Sequence, residues 1–245
     1  MRLRLLSLYP DQMNIYADRG NLTFIRKRCE WRGIGFELTS CGLGEEFDPG
    51  GHDLIYMGGG QDRDQKAVAG DLVRVKRGQM FTARDDGAVI LAVCGGYQLL
   101  GRSYQLEGER IEGLGLAGLE TVRESGPRLI GPVAITVDLD GTERTLAGFE
   151  NHGGRTYLDT GCEPLGRVRS GHGNNGRDGL EGVHDRNLFG TYLHGPLLPK
   201  NAWLADHLIG LALEHHHGGP VELEPLPDEL ESAAHQSALR AAEAG

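Results

Sequence analysis

The sequence of 245 residues has few cysteines, and their spacing matches no common ligand pattern. Cys29, Cys41, Cys94 and Cys162 form neither a CxxC pair nor a dense disulfide framework, which argues against zinc-site and disulfide-scaffold proteins. No apolar run approaches the roughly 18 residues that a membrane-spanning helix requires. The apolar stretch at the N-terminus is too short for a signal peptide. We therefore expect a reduced, soluble, cytoplasmic protein.

Positive charge is also scarce. The chain has 25 Lys and Arg residues against 35 Asp and Glu, and its formal charge of −10 argues against a general binder of nucleic acid or anionic membranes. The common phosphate-binding glycine motifs are missing. There is no GxxxxGK[ST] sequence, and GGGQD at residues 58–62 lacks the spacing of a Rossmann fingerprint. No ATP site is expected in this chain.

Segments with strand and helix patterns alternate along most of the chain. Strands are predicted at residues 3–9, 35–40, 53–57, 88–93 and 187–194, with helices from Asn21, from Asp62 to about Arg84, from Tyr97 and over 199–216. The run AVILAV at 88–93 is continuously apolar, which is typical of a strand covered on both faces. This alternation predicts an α/β fold around a parallel sheet with right-handed crossovers.

The pattern changes after about residue 113. Two strand-like runs surround Asp140-Gly141, which predicts a β-hairpin. Residues 166–187 are rich in glycine and asparagine, with HGNNGRDG at their centre, and are predicted to form a long surface loop. The acidic residues 218–245 are loosely patterned and predict a C-terminal appendage. We predict a main domain of residues 1–213 and an appendage of residues 214–245. The boundary between them lies inside the last predicted helix.

Cys94 lies where a buried strand turns abruptly into a helix, in AVCGGYQLLG (92–101). This is the pattern of a nucleophile elbow, which presents its side chain above the sheet and in front of a helix N-terminus. Gly95 and Gly96 are predicted to allow the positive φ and close approach that the turn needs. The helix dipole favours thiolate over thiol. Cys94 is therefore predicted to be a nucleophile and not a buried structural cysteine.

A cysteine nucleophile needs a base, which is usually histidine. His194 ends the predicted strand NLFGTYLH, and the strands of a parallel sheet end at one edge, so Cys94 and His194 can meet there. His152, in FENHGGR, is the second candidate, whereas His215–His217 at a helix end are predicted to be solvated. The glycines at 58–60 follow the third strand, and their N–H groups can form an oxyanion hole at the same edge.

These motifs resemble those of the class I glutamine amidotransferases, in which a cysteine takes the acyl group of glutamine and releases ammonia. CGGYQ matches the CxGxQ elbow, and YMGGGQD, GFENHGGRTYL and GTYLHGPLLPKN are similar to the cobyric-acid-synthase-type branch. NIYADRGN, the GNNG loop and the chain length resemble the glutaminase subunits that pair with a MurT-type, Mur-ligase-like subunit. The likeness covers residues 3–213. It implies a flavodoxin-like, three-layer fold with a central, mostly parallel sheet and an added β-hairpin.

The resemblance also implies roles for individual residues. Cys94 would be the nucleophile and His194 its base. Many members of the class orient that histidine with a glutamate two residues later, but this chain has Pro196 there. The third catalytic member must therefore come from elsewhere in the chain, from water, or from the partner, where an aspartate of the MurT-type subunit is implied.

The remaining roles concern substrate binding. The resemblance implies that Gly59 and Gly95 supply the oxyanion N–H groups. It implies that Arg128, in ESGPRLIGP, binds the carboxylate of the substrate glutamine, a task that suits the two parallel donors of a guanidinium. Gln98, one helical turn from Cys94, would either touch the substrate or stabilise the turn.

The activity implied is glutamine hydrolysis within a heterodimer. Ammonia would pass to the partner, which would use ATP and Mg²⁺ to amidate the D-glutamate of lipid II to D-isoglutamine. This chain itself would need no cofactor or metal, and it would not insert into a membrane. Three alternatives stay open: an amidotransferase for a cobyrinate-type acceptor, a free-standing cysteine hydrolase that acts on peptides, and an inactive scaffold that stabilises a partner.

Overall fold

The structure is a computed structural model that describes residues 1–14, 18–60, 62–106, 108–139 and 141–244. The strands are β1 (Arg2–Leu8), β2 (Gly35–Cys41), β3 (Leu54–Met57), β4 (Val89–Val93), β5 (Ser103–Leu106), β6 (Glu109–Glu112), β7 (Leu119–Val122), β8 (Leu129–Leu139), β9 (Thr142–His152), β10 (Arg155–Leu158), β11 (Gly166–Ser170), β12 (Leu180–Glu181), β13 (Val183–Asp185) and β14 (Leu188–Thr191). The helices are α1 (Arg19–Trp31), α2 (Asp62–Asp71), α3 (Arg77–Asp86), α4 (Gly95–Leu100), α5 (Leu197–Lys200), α6 (Ala202–His217) and α7 (Glu229–Glu243).

Among the described residues, six strands form the central sheet in the order β13-β14-β4-β3-β1-β2. All neighbours in it are parallel except β13 and β14. Alternate side chains of the strands enter two separate cores. Leu5 and Leu91 pack on the side of α1 and α6, whereas Leu6 and Ile90 pack on the side of α2 to α4. The predicted three-layer α/β fold with a mostly parallel sheet is confirmed.

The long helix predicted from Asp62 to about Arg84 is interrupted. A π-helical turn, Leu72–Lys76, separates α2 from α3. The extra residue in this turn rotates the inward face of the helix, so that Val75 is half-buried and Lys76 is fully buried. The Lys76 ammonium is paired with the Asp71 carboxylate and donates to the Gly42 carbonyl (2.9 Å). Periodicity alone cannot reveal a lysine that is buried with its counter-ion.

The predicted hairpin is present as β8 and β9, paired in register from Leu129↔His152 to Leu139↔Thr142. Asp140, at its tip, lies outside the described residues. The hairpin belongs to a four-stranded sheet of order β12-β11-β8-β9 in the described part of the chain. Its outer face is covered by α7, whose Leu239 and Ala242 pack against Ala134 and Ala147. The acidic appendage therefore contains a helix docked on the hairpin.

The surface loop predicted over residues 166–187 is confirmed only at its centre, residues 171–179, and its predicted extent is wrong. The segment contains β11, β12 and β13, and both Asn174 and Asn175 are buried. The Asn174 side chain accepts from the Gly182 N–H (2.8 Å) and the Tyr97 hydroxyl (3.0 Å), and its amide donates to the Gly182 carbonyl (3.1 Å). The side-chain amide of Asn174 thus pairs with backbone groups much as a neighbouring strand would. The polar composition of the segment did not indicate this burial.

Two smaller features complete the fold. Arg28 of α1 is fully buried and pairs with Asp206 of α6 and with Asp228, just before α7.

The prediction that His215–His217 are solvated is wrong for His215, which is largely buried with its Nδ1 3.7 Å from a carboxylate oxygen of Asp53. Over the residues that the structure describes, no helix is both long and apolar enough to cross a membrane.

Candidate active site

Cys94 connects β4 directly to α4 and has a backbone that L-residues rarely adopt, with φ +52° and ψ −108°. Such strain persists where the surrounding structure enforces it, and it concentrates at functional sites. The positive φ that was expected at Gly95 and Gly96 belongs to Cys94 itself. Gly95 and Gly96 are needed for close packing, because added Cβ atoms would lie 2.2 Å from Gln65 Nε2 and 2.6 Å from the Met57 carbonyl oxygen. The elbow predicted at Cys94 is present.

His194 lies at the same edge of the sheet as Cys94. Strands β14 and β4 are parallel neighbours, with Thr191 opposite Val93. Cys94 follows Val93 directly, and His194 comes three residues after Thr191, so both lie just beyond the same ends of the two strands. The backbone of His194 is fixed by two hydrogen bonds with Phe149, its N–H donating to the Phe149 carbonyl and its carbonyl accepting from the Phe149 N–H, both at 3.0 Å. The imidazole is buried, with its ring edge-on to the Phe149 ring at 6.2 Å.

The surroundings of His194 hold its imidazole neutral. Burial above all, and then the neighbouring His152, Lys200 and Arg128, lower the pKa of His194 to about 4, while the Glu150 carboxylate acts in the opposite direction. A histidine with this pKa carries no proton on its second nitrogen at neutral pH. It is therefore ready to accept one, as the predicted general base must.

His152, the second candidate base, is close enough to influence His194 but is held by other groups. Its ring stacks on Tyr192 with centroids 3.5 Å apart. Its Nδ1 lies 2.8 Å from the Gly154 carbonyl oxygen, and its Nε2 lies 3.7 Å from the Glu150 carboxylate. These contacts favour His194 as the base and His152 as part of the wall of the site.

Gln98 lies in the first turn after the elbow and is held by buried polar side chains. Its side chain is almost fully buried, its Nε2 donates to the Tyr192 hydroxyl (3.2 Å), and its Oε1 accepts from Gln65 (3.2 Å). The Tyr192 hydroxyl lies in turn 2.6 Å from Thr156 Oγ1. Of the two roles open for Gln98, these contacts favour stabilising the turn. Gln65 and Tyr192 belong to this network but had no signal in the sequence, because each is an isolated polar residue.

The backbone N–H of Gly59 is held by an acidic side chain. Its N–H donates to the buried carboxylate of Asp18 at 2.7 Å. The oxyanion role that the resemblance implied for Gly59 stays a prediction, and it would require this N–H to leave Asp18. Asp18 is a further site residue that sequence reasoning missed, although NIYADRGN contains it.

Glu150, which no sequence motif singled out, is the carboxylate whose charge favours protonated His194. It is fully buried and accepts hydrogen bonds from the His172 N–H (2.7 Å) and the Gly173 N–H (2.9 Å). His172 Nδ1 lies 2.8 Å from the same carboxylate. Burial would raise the pKa of the Glu150 carboxyl, but its interactions with His152 and then His172 hold that pKa below the usual value. Glu150 therefore balances part of the positive charge around the imidazole.

Arg128 lies exposed just before β8, and its charge acts on His194. Two of its guanidinium nitrogens donate to the side-chain and backbone oxygens of Asn151, both at 2.8 Å. The asparagine thus aims the guanidinium before any substrate arrives. This arrangement suits the predicted role of Arg128 in binding the glutamine carboxylate.

Replacing Arg128 by alanine is expected to raise KM for glutamine by about 10- to 100-fold, because hydrogen bonds to a charged group contribute about 1.5–3 kcal/mol. The kcat should change much less, since the carboxylate is bound equally in ground and transition states. Steady-state hydrolysis of glutamine measures both constants. Arg110→Ala, at an exposed arginine of β6, is the matched control. An unchanged KM in Arg128→Ala would remove this residue from the binding site.

The three-layer fold and the strained cysteine beside a buried histidine define a class I glutamine amidotransferase. Among solved structures, PurLQS from Thermotoga maritima is similar in fold, with a TM-score of 0.59 and 20% identity over 88% of this chain and 100% of that chain. The pattern of the CobB/CobQ-like glutamine amidotransferase domain matches residues 4–202, and the chain belongs to this family.

Two curated relatives match nearly end to end. The chain is 41% identical over 231 residues to the lipid II isoglutaminyl synthase (glutamine-hydrolyzing) subunit GatD of Streptococcus pneumoniae, covering 94% of this chain and 87% of the relative. It is 40% identical over 235 residues to the subunit of the same name from Staphylococcus aureus, covering 96% and 93%.

Proposed function

We propose that this chain is the glutaminase subunit of a lipid II isoglutaminyl synthase. The observation that carries the proposal is the Cys94 elbow with His194 at the adjoining strand end, in a chain whose relatives of that name match over nearly their whole length. That full-length match favours a separate subunit over the cobyrinate-type alternative.

The reaction begins with attack of the Cys94 sulfur on the side-chain amide carbon of glutamine. His194, neutral at rest, takes the thiol proton, and backbone N–H groups at Gly95 and the glycines of 58–60 receive the oxyanion. When the tetrahedral intermediate collapses, the C–N bond breaks and His194 returns the proton to the leaving nitrogen as ammonia. The same imidazole then takes a proton from water, which attacks the thioester and releases glutamate with the free thiol.

Ammonia is useful only if a second active site consumes it before it diffuses away. By resemblance, the consumer is a MurT-type ligase that activates the D-glutamate α-carboxyl of lipid II with ATP and Mg²⁺. The proposed heterodimer also addresses the chain's departure from the HxE pattern, since Pro196 stands where the carboxylate would be. An aspartate of the partner would then complete the site and orient His194.

The experiment combines this chain with a MurT-type subunit, lipid II, ATP, Mg²⁺ and glutamine labelled with ¹⁵N in its side-chain amide. We expect labelled D-isoglutamine to form, and we expect glutamine hydrolysis to be faster with the partner than without it. Cys94→Ala in the same mixture should give no labelled product while external ammonium still supports amidation. Hydrolysis of glutamine at a rate that the partner does not alter would contradict the proposed coupling. Cleavage of peptides with no action on glutamine would favour the free-standing hydrolase.

A further inference from the structure

The turn that follows His194 is held by a lysine side chain. Gly195 has a positive φ of +82°, and its carbonyl accepts a hydrogen bond from the Lys200 ammonium at 2.6 Å. Lys200 is the last residue of α5, so this bond closes the segment between the imidazole and that helix. Pro196, within the segment, restricts φ and leaves the turn few other conformations. The direction in which the chain leaves His194 therefore depends on the Lys200 side chain.

Lys200 is placed where a cation is costly. It is half-buried, and burial lowers the pKa of its ammonium. No carboxylate forms an ion pair with it in the described part of the chain, whereas the buried Lys76 is paired with Asp71. A partly desolvated charge without a counter-ion destabilises a fold. The position of Lys200 beside the catalytic histidine therefore calls for a functional explanation.

The C-terminal helix α7 holds the backbone of Lys200. His235 of α7 lies with its Nδ1 2.9 Å from the Lys200 carbonyl oxygen and its Nε2 2.9 Å from Thr145 Oγ1 of β9. A ring nitrogen facing a carbonyl must carry the proton, so Nδ1 is the donor. His235 thus joins the end of α5 to the hairpin.

Strand β9 is the common support of Lys200 and His194. Asn201, next to Lys200, is fully buried, and its side-chain amide bonds both to the Ala147 N–H (2.9 Å) and to the Ala147 carbonyl (2.8 Å). Two residues further along β9, Phe149 makes the backbone pair with His194. The lysine and the histidine are therefore fixed to the same strand on either side of a short turn.

We propose that Lys200 is a positioning residue for His194: its ammonium holds the Gly195 carbonyl and so fixes the turn that carries the imidazole. Helix α7 supports the lysine through His235, so the C-terminal appendage takes part in building the active site. This inference rests on the proposed glutaminase function for the role of His194. It adds to that function one residue and one element.

The charge of Lys200 has a second effect on the same imidazole. The groups that act on His194 are His152 and Glu150 of β9, Arg128 just before β8, and Lys200 of α5, beside the thiol of the elbow. Burial is the largest cause of the low pKa of His194, and the charge of Lys200 lowers that pKa further, while Glu150 opposes it. Removing the lysine should therefore raise the pKa of His194, which gives the proposal a readout that a merely structural lysine would not move.

Substitution of Lys200 removes the charge and the donor with little change in bulk. Lys200→Met keeps the apolar stem, and Lys200→Arg keeps both the charge and the N–H donors. Lys27→Met, at an exposed lysine of α1, is the matched control. NMR of the chain labelled with ¹⁵N in its histidine rings, with His194→Asn to assign the signal, measures the pKa of His194. That pKa should rise by about half a pH unit or more in Lys200→Met and stay at the wild-type value in the other two variants.

Glutamine hydrolysis by the complex with a MurT-type subunit tests the positioning itself. Lys200→Met should lower kcat by about 10-fold with KM changed no more than a few-fold, because a misplaced base acts on the reaction and not on binding. Lys200→Arg should retain most of the activity. The acid limb of kcat/KM should move to higher pH in Lys200→Met alone. A wild-type kcat and an unmoved pKa of His194 in folded Lys200→Met would refute the role of Lys200.

His235→Ala tests the support from α7. It should lower kcat by about 3-fold in the wild-type background and have no further effect in Lys200→Met, because His235 acts through Lys200. Losses that multiply in the double variant would overturn the link between α7 and the lysine.

If Lys200→Met does not fold, Lys200→Gln takes its place, since it keeps N–H donors but carries no charge. The pKa of His194 should rise in that variant too, and an unmoved pKa would refute the effect of the charge. The wild-type complex separates this inference from the proposed function. If that complex hydrolyses no glutamine, the proposed function is wrong. If it is active and the Lys200 variants match it in kcat and in the pKa of His194, only the role of Lys200 is wrong.

Discussion

Replacing Cys94 by alanine is expected to lower kcat for glutamine hydrolysis by on the order of 10⁴-fold or more, because the covalent route is lost entirely. The elbow should tolerate the change structurally, since alanine removes only the sulfur and leaves the strained backbone in place. A stopped glutamate assay, with and without the partner subunit, measures the rate. The Tm of the variant should stay close to that of the wild type, since the backbone strain is unaltered.

Cys29→Ala provides the matched control for that variant. Cys29 is the fully buried cysteine of α1, and burial raises the pKa of its thiol to about 12, so it is inert at neutral pH. Its removal should cost stability through lost packing while kcat stays within a few-fold of the wild type. A Cys94→Ala enzyme that still hydrolyses glutamine at a substantial rate would exclude the thioester mechanism.

Replacing His194 by asparagine is expected to lower kcat by about 10³- to 10⁴-fold, with a much smaller effect on KM, because the imidazole moves protons in both half-reactions. His152→Asn is the matched control, at the second histidine of the site. Its effect should be smaller by at least about 10-fold, since its ring is committed to Tyr192 and Gly154. Equal losses in the two variants would contradict the assignment of the base to His194.

The depressed pKa of His194 adds a dependence on pH. In the folded protein, the pKa of His194 is about 4, below the ordinary histidine pKa of 6.5. The imidazole therefore stays neutral as the pH falls below 6. The acid limb of kcat/KM should therefore lie near pH 4 to 5, provided that the protein stays folded. By linkage, the neutral His194 contributes stability that is fully present above pH 6.5 and is lost as the pH falls through about 4. Urea unfolding at pH 7 and pH 4.5 measures this loss.

The sequence could predict the elements that follow from local pattern. The apolar run of β4 and the abrupt Cys94-Gly95-Gly96 turn identify the elbow, and the parallel arrangement then brings His194 to the same edge. Both inferences need only short-range pattern and the geometry of parallel sheets. The central sheet and the β8–β9 hairpin follow from the same kind of signal.

What the sequence could not predict depends on contacts between distant segments. The direction of the Gly59 N–H depends on Asp18, which lies far from it along the chain. The burial of Asn174 depends on backbone groups of Gly182 and on Tyr97. Polar residues in glycine-rich segments look solvated in a sequence, and only the fold reveals that each satisfies a buried partner.

Covalent labelling tests whether Cys94 is the nucleophile of a pocket that recognises glutamine. The most direct measurement is the intact mass of the protein after incubation with 6-diazo-5-oxo-L-norleucine, a glutamine-like diazoketone. We expect one adduct on the wild type, protection by excess glutamine, and no adduct on Cys94→Ala, with the partner subunit present to complete the site. An unlabelled wild-type protein in that complex, or equal labelling of Cys94→Ala, would contradict it.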